Sequence, residues 1–232
     1  MPKSMEALGL RGGLIVSCQP SNRNSPFNNT ELMVAMAIAA KNAGAVGIRA
    51  NSPETIKAIR DAVNLPIIGI DKVGLTTQHK RVYITPTFEH ARGIADLGCE
   101  IIALHVLPEY DRDLEALKLR IRRIKEELDV LLMADVATVE DALFAVEQGV
   151  DIVATTSARY AYPEEKIPGP PIDLIAELVN RIPVPVIGEG HFHTPEQFRA
   201  AIEAGAHAVV VGTALTAPDV LMKEFVATIK QM

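Results

Sequence analysis

Along the chain, short uninterrupted apolar runs alternate with longer stretches in which apolar positions recur every three or four residues. The runs are LIVSC (Leu14–Cys18), VGIRA (Val46–Ala50), IIGID (Ile67–Asp71), IIALH (Ile101–His105), LLMAD (Leu131–Asp135), IVATT (Ile152–Thr156), VIGEG (Val186–Gly190) and VVVG (Val209–Gly212). Apolar on consecutive residues, they predict strands covered on both faces, as in a parallel sheet. The intervening stretches, such as ELMVAMAIAAKNAG, ETIKAIRDAV and DLEALKLRIRRIKEEL, predict amphipathic helices. Ser52-Pro53 and Thr194-Pro195 each put a capping hydroxyl before a first-turn proline, and Thr194 with Gln197 forms a capping box. Gly44, Gly98, Gly149 and Gly205 stand where left-handed helix ends are expected, so the NAGA, DLGC, EQGV and EAGA recurrence is architectural.

A further run, VYITPT, follows IIGID after only the short polar VGLTTQHKR. Parallel neighbours need a crossover, so this run is read as part of a long loop. Eight β/α units remain, with no break in composition, and they predict a single (β/α)8 barrel, the TIM-barrel fold, over residues 1–232. A doubly wound open sheet is the alternative, but no G-x-G-x-x-G follows the first strand.

Composition narrows the function classes. Nearly half of the 232 residues are hydrophobic, enough for a large core, and the net charge of −6 argues against a nucleic-acid partner. No stretch reaches the roughly 18 apolar residues of a membrane span. Two cysteines, Cys18 and Cys99, build no disulfide framework, and the expected location is the cytoplasm.

The candidate chemistry lies where the strands end. In a parallel barrel all strand C-termini meet at the catalytic end. Here they carry Gln19, Arg49, Asp71 and Lys72, His105, Asp135, Thr155 and Thr156, and Glu189, while the strand starts are apolar. The last two strands finish on Gly190 and Gly212, and Thr213 opens a short helix. Phosphate sites of barrels form on these two loops, where glycine lets backbone N–H groups approach an anion. Beside Arg49 in a partly desolvated mouth, Lys72 would have a lowered pKa and act as a base or an amine nucleophile. His105, Asp135, His191 and His193 make a poor metal set, and no metal is expected. Cys18 reads as a buried small hydrophobe, Met33 and Met36 as helix packing, and Arg120, Arg122, Arg123 and Lys125 as a solvated face.

In order along nearly the whole chain, GLIVSCQ, AGAVGIRAN, LPIIGIDK, YITPT, LLMAD, VATT, VIGEG-x-x-x-TPEQ and AVVVG resemble the N-acylmannosamine-6-phosphate 2-epimerases of bacterial sialic acid catabolism. The resemblance implies interconversion of N-acetylmannosamine 6-phosphate and N-acetylglucosamine 6-phosphate without a cofactor. It implies Lys72 and Glu189 as catalytic residues, Gln19, Arg49, Asp135 and Tyr160 as substrate-binding, and Gly190, Gly212 and Thr213 as phosphate-binding. The chain departs from the family pattern at Val73, His105, His191, the segment Ala158-Arg159-Tyr160-Ala161, and Ala217, which stands in place of an arginine. Two other readings stay open: a Schiff-base aldolase-type enzyme using the same lysine, and a phosphosugar-binding protein without catalysis. The expected partner is a small phosphosugar. The final helix, PDVLMKEFVATIKQM, offers apolar residues to the barrel or to a second copy of the chain in a homodimer.

Overall fold

In the computed structural model, which describes residues 4–19, 24–74, 82–111, 113–158 and 169–229, the eight apolar runs close into a parallel barrel. The chain order is α1 (Met5–Leu8), β1 (Leu14–Cys18), α2 (Thr30–Asn42), β2 (Gly47–Asn51), α3 (Pro53–Ala62) and β3 (Ile67–Ile70). There follow β4 (Lys72–Gly74), β5 (Val82–Ile84), α4 (Phe88–Ala95), β6 (Ile101–His105), α5 (Leu114–Glu127), β7 (Leu131–Asp135), α6 (Val139–Glu147) and β8 (Ile152–Ala154). The chain continues through α7 (Ile172–Arg181), β9 (Val186–Glu189), α8 (Pro195–Glu203), β10 (Ala208–Val211), α9 (Thr213–Thr216) and α10 (Pro218–Ile229). Around the barrel the order is β1-β10-β9-β8-β7-β6-β3-β2, and β2 closes on β1.

The two-residue period of a strand divides the core in two. Ile15, Ile68, Ile101, Met133, Ile152, Ile187 and Val210 point inward and fill the bore, with Met5 and Leu10 packed onto the same cluster. Their chain neighbours Val16, Ile67, Ile102, Leu132, Val153, Val186 and Val209 point outward, into a second core shared with the helices. On α5, Leu117, Ile121 and Ile124 supply the buried stripe. Burying each such side chain contributes about 1.5–3 kcal/mol, so most of the stabilisation comes from these two layers.

The helix-boundary reading holds in detail. The Ser52 and Thr194 side chains accept from Thr55 N and Gln197 N, with proline in the first turn of each helix, and Gln197 completes the capping box. Gly44, Gly98, Gly149 and Gly205 adopt φ between 83° and 99°. One run differs from its reading: Val82–Ile84 is a strand, not loop. It pairs antiparallel with Lys72–Gly74, with Lys72 opposite Ile84, in a two-stranded sheet outside the barrel ring. The crossover argument still explains why it is no ninth barrel strand.

Candidate active site

Inward parity, continued upward along each strand, selects the functional layer. After Ile68 and Ile70 the next inward position is Lys72; after Ile101 and Ala103 it is His105; after Leu131 and Met133, Asp135; after Ile187, Glu189. After Ile15 come Ser17 and Gln19, after Ile152 and Ala154 comes Thr156, and Arg49 occupies the same level of β2 opposite Ser17. Asp71 has the other parity, which separates it from Lys72. Its carboxylate instead lies 3.9 Å from His90 Nε2.

Arg49 is the hub of this layer. Its Nη2 donates to Asp135 Oδ2 at 2.6 Å and its Nη1 to Asp135 Oδ1 at 3.1 Å and to Glu189 Oε2 at 2.7 Å. The Thr156 hydroxyl lies 2.6 Å from Asp135 Oδ1 and 3.1 Å from Glu189 Oε2. It has one proton, so it donates to one carboxylate at a time. Outside the barrel wall Thr155 pins the end of β9, donating to Glu189 O at 2.8 Å and accepting from Glu189 N at 3.0 Å. A second chain crosses the mouth: Lys72 Nζ donates to Gln19 Oε1 at 2.6 Å, and Gln19 Nε2 donates to Ser17 Oγ at 2.6 Å.

Burial shifts the titration of these groups. Lys72 is drawn down to about 8, first by desolvation and then by the nearby Arg49 charge. Glu189 is pushed up to about 7 by burial, with Asp135 adding to the rise and Arg49 opposing it. Burial works against the Arg49 charge, but Asp135 and Glu189 more than offset this and hold it protonated. An amine and a carboxyl group whose proton affinities converge near neutrality are chemically suited to proton transfer.

Above this layer opens a cavity of about 740 Å³, within the size range of small-molecule sites. Gln19, Lys72, Glu189, Gly190, Gly212 and Thr213 line it. Gly190 and Gly212 follow the adjacent strands β9 and β10. Gly190 has φ +106°, which L side chains rarely adopt, and a Cβ on Gly212 would stand 3.3 Å from the Ser17 Cβ.

Arg49 and Asp135 do not line the cavity. Both side chains have no exposed surface, and beneath the floor they bond to each other and to Glu189 and Thr156. In this arrangement the two hold Glu189 and Thr156, which do face the cavity. Tyr160 and Arg159 lie outside the described residues. Arg120, read as part of a solvated face, is corrected. Its side chain is only 15 % exposed, bonds the Pro86 carbonyl and Asp111, and lines the cavity. The signal was in the spacing, since position 120 falls three after Leu117 and four before Ile124, on the buried stripe. Thr156, too, could have been selected by parity with Ile152 and Ala154.

Among the described residues no helix is long and apolar enough to cross a membrane. Residues 33–231 match the protein family described as "Putative N-acetylmannosamine-6-phosphate epimerase". A protein of Cutibacterium acnes named "Putative N-acetylmannosamine-6-phosphate 2-epimerase" is 41 % identical over 211 residues, 90 % of each chain. One of the same name from Thermosynechococcus vestitus is 42 % identical, covering 97 % of this chain and 96 % of its own. The solved N-acetylmannosamine-6-phosphate 2-epimerase of Clostridium perfringens superposes with a TM-score of 0.84 at 34 % identity, covering 96 % of both chains. A thiamine phosphate pyrophosphorylase of Pyrococcus furiosus, at 15 % identity and a TM-score of 0.59, shares the fold alone. Barrel, strand-end layer and these likenesses agree: the chain belongs to the N-acetylmannosamine-6-phosphate epimerase family.

Proposed function

We propose that this protein inverts C2 of an N-acylhexosamine 6-phosphate, interconverting N-acetylmannosamine 6-phosphate and N-acetylglucosamine 6-phosphate. The observation that carries this reading is the pair formed by Lys72 and Glu189 on the wall of one cavity, with pKa values of about 8 and about 7. Inversion next to a carbonyl removes a weakly acidic C–H proton and returns one to the opposite face. The sugar first opens to its aldehyde, which acidifies C2. The Lys72 amine then takes the C2 proton, while Gln19 holds the amine in place through the 2.6 Å contact. Glu189 moves the proton needed for ring opening or for return at the opposite face. Arg49 and Thr156 fix its carboxyl group, and Asp135 fixes Arg49.

The phosphate is assigned to the rim formed by Gly190, Gly212 and Thr213, where glycines leave backbone N–H groups open to an anion. Anchoring the phosphate holds C2 within reach of the base, so remote binding energy serves orientation. The test is incubation of the enzyme with N-acetylmannosamine 6-phosphate in heavy water, following C2 by proton NMR. Deuterium should enter C2 as the second epimer accumulates. No incorporation overturns the reading, and a borohydride-trapped adduct on Lys72 reassigns that residue to Schiff-base chemistry.

The same reading extends to assembly. Among the described residues none of α10 is buried, and Phe225 (76 % exposed) and Ile229 (71 %) stand open. A second copy of the chain covers this face, and sedimentation equilibrium should return twice the chain mass; a monomer mass refutes it.

A further inference from the structure

His105 closes β6 with the inward parity of Ile101 and Ala103, and it lines the same cavity as Lys72 and Glu189. A backbone group fixes its ring: the N–H of Ile84, on β5, donates to Nδ1 at 3.3 Å. A ring nitrogen that accepts an N–H carries no proton, so the proton of the neutral ring is on Nε2. The residue is only partly buried and lines the cavity, so with Nδ1 held by Ile84 the Nε2–H is the ring's donor for a ligand bound there. Burial and the charges of Arg49, Lys72 and Arg120, against the single carboxylate of Asp135, depress the ring to about 4. The imidazole is therefore neutral at neutral pH.

Topology sets what this N–H meets. In the ring of eight strands β6 stands four places from β10 in either direction, so His105 and Gly212 face each other across the bore. A sugar held by its 6-phosphate at the glycine rim presents its other end, C1 and C2, to the wall that carries His105 and Lys72.

Building on the epimerase reading, we propose that His105 donates a hydrogen bond from Nε2–H to the C1 oxygen of the open-chain sugar and stabilises the negative charge that gathers there. The C2–H bond breaks and its proton passes to the Lys72 amine. The C–H electron pair becomes the C1–C2 π bond, and the carbonyl π pair moves onto the oxygen. Return of a proton to C2 reverses these shifts. His105 keeps its own proton throughout, as a neutral donor must, and adds no positive charge beside Lys72.

The test compares the wild type with His105→Phe, which removes the donor, and His105→Gln, which offers an amide N–H. Steady-state epimerisation and C2 deuterium exchange are measured for all three. His105→Phe should lower kcat and exchange by about a hundredfold to a thousandfold, as loss of one oxyanion donor does. KM should stay within about threefold, because the interaction strengthens only as charge develops. His105→Gln should recover at least about tenfold of the loss; its Oε1 can also accept from Ile84 N–H, so it is the kcat-against-KM split in His105→Phe that separates charge stabilisation from pinning of the hairpin. Unchanged kcat in His105→Phe, or a loss confined to KM, overturns the proposal while leaving the epimerase reading intact. A wild type that exchanges nothing at C2 overturns both. Independently of activity, nitrogen-15 NMR of the histidine-labelled wild type at pH 7 should show His105 as the neutral Nε2–H tautomer. An Nδ1–H tautomer or an imidazolium contradicts the assignment.

Discussion

The lower and upper halves of the bore are built from the same strands at the same inward parity, yet they obey opposite rules. Below, Ile15, Ile68, Ile101, Met133, Ile152 and Ile187 exclude polar atoms altogether. Above, within a few residues of each, stand Gln19, Lys72, His105, Asp135, Thr156 and Glu189, with Arg49 of β2 among them, each polar and most of them bonded to one another. The dry lower half keeps water from reaching the upper layer from beneath. Charges that rest on it lose solvation, and that loss is the first cause of the shifts at Lys72, Glu189 and His105. The apolar layer thus contributes to chemistry by desolvating, and the charged layer contributes to stability only while its pairs stay intact.

The comparison breaks first at Lys72. Lys72→Ala should cut C2 exchange by about 10²–10⁴-fold, the range for loss of a general base, with the melting temperature nearly unchanged. Retained exchange would deny the upper layer its base. Next is Arg49→Met, which strands Asp135 and Glu189 together without a counter-charge. It should cost about 3–5 kcal/mol in a urea melt, as breaking buried pairs does. A variant as stable as the wild type would show that the carboxylates simply take up protons. In the lower half, Met133→Ala opens a cavity and should cost about 2–5 kcal/mol of stability, with kcat held within about twofold. A fall in kcat to match Lys72→Ala would erase the division of labour.

The smallest effect sharpens the picture. On the proposed reading, proton transfer in either direction needs Lys72 and Glu189 to hold one proton between them. Below about 7 both are protonated and no base remains; above about 8 both are stripped and no acid remains to return the proton. A plot of kcat/KM against pH should be bell-shaped with limbs near these values, falling about tenfold per pH unit on either side. A profile flat from pH 6 to 9 would contradict the pairing.

Much of this architecture was legible beforehand. Strand number, helix caps and the polar strand ends follow from local patterning and capping chemistry, and parity alone says that only one of Asp71 and Lys72 can enter the mouth. Val82–Ile84 escaped that reading because a strand needs a partner, and its partner, Lys72–Gly74, turns back onto it only in three dimensions. Arg120 escaped because one arginine within a basic run looks solvated until a loop carbonyl, Pro86, and Asp111 close over it. That Asp135 is held by Arg49 through two hydrogen bonds could not be read from two strand ends far apart in the chain.

By itself the sequence determined the alternation of elements and which residue types stand at the strand ends, because continuous apolar runs and a period of about 3.6 residues mark them. Only the closed barrel decided which of those ends touch. Arg49 meets Asp135 and Glu189 across 86 and 140 residues of chain, and His105 faces Gly212 across the bore. Such meetings depend on ring order and closure, which no local pattern encodes.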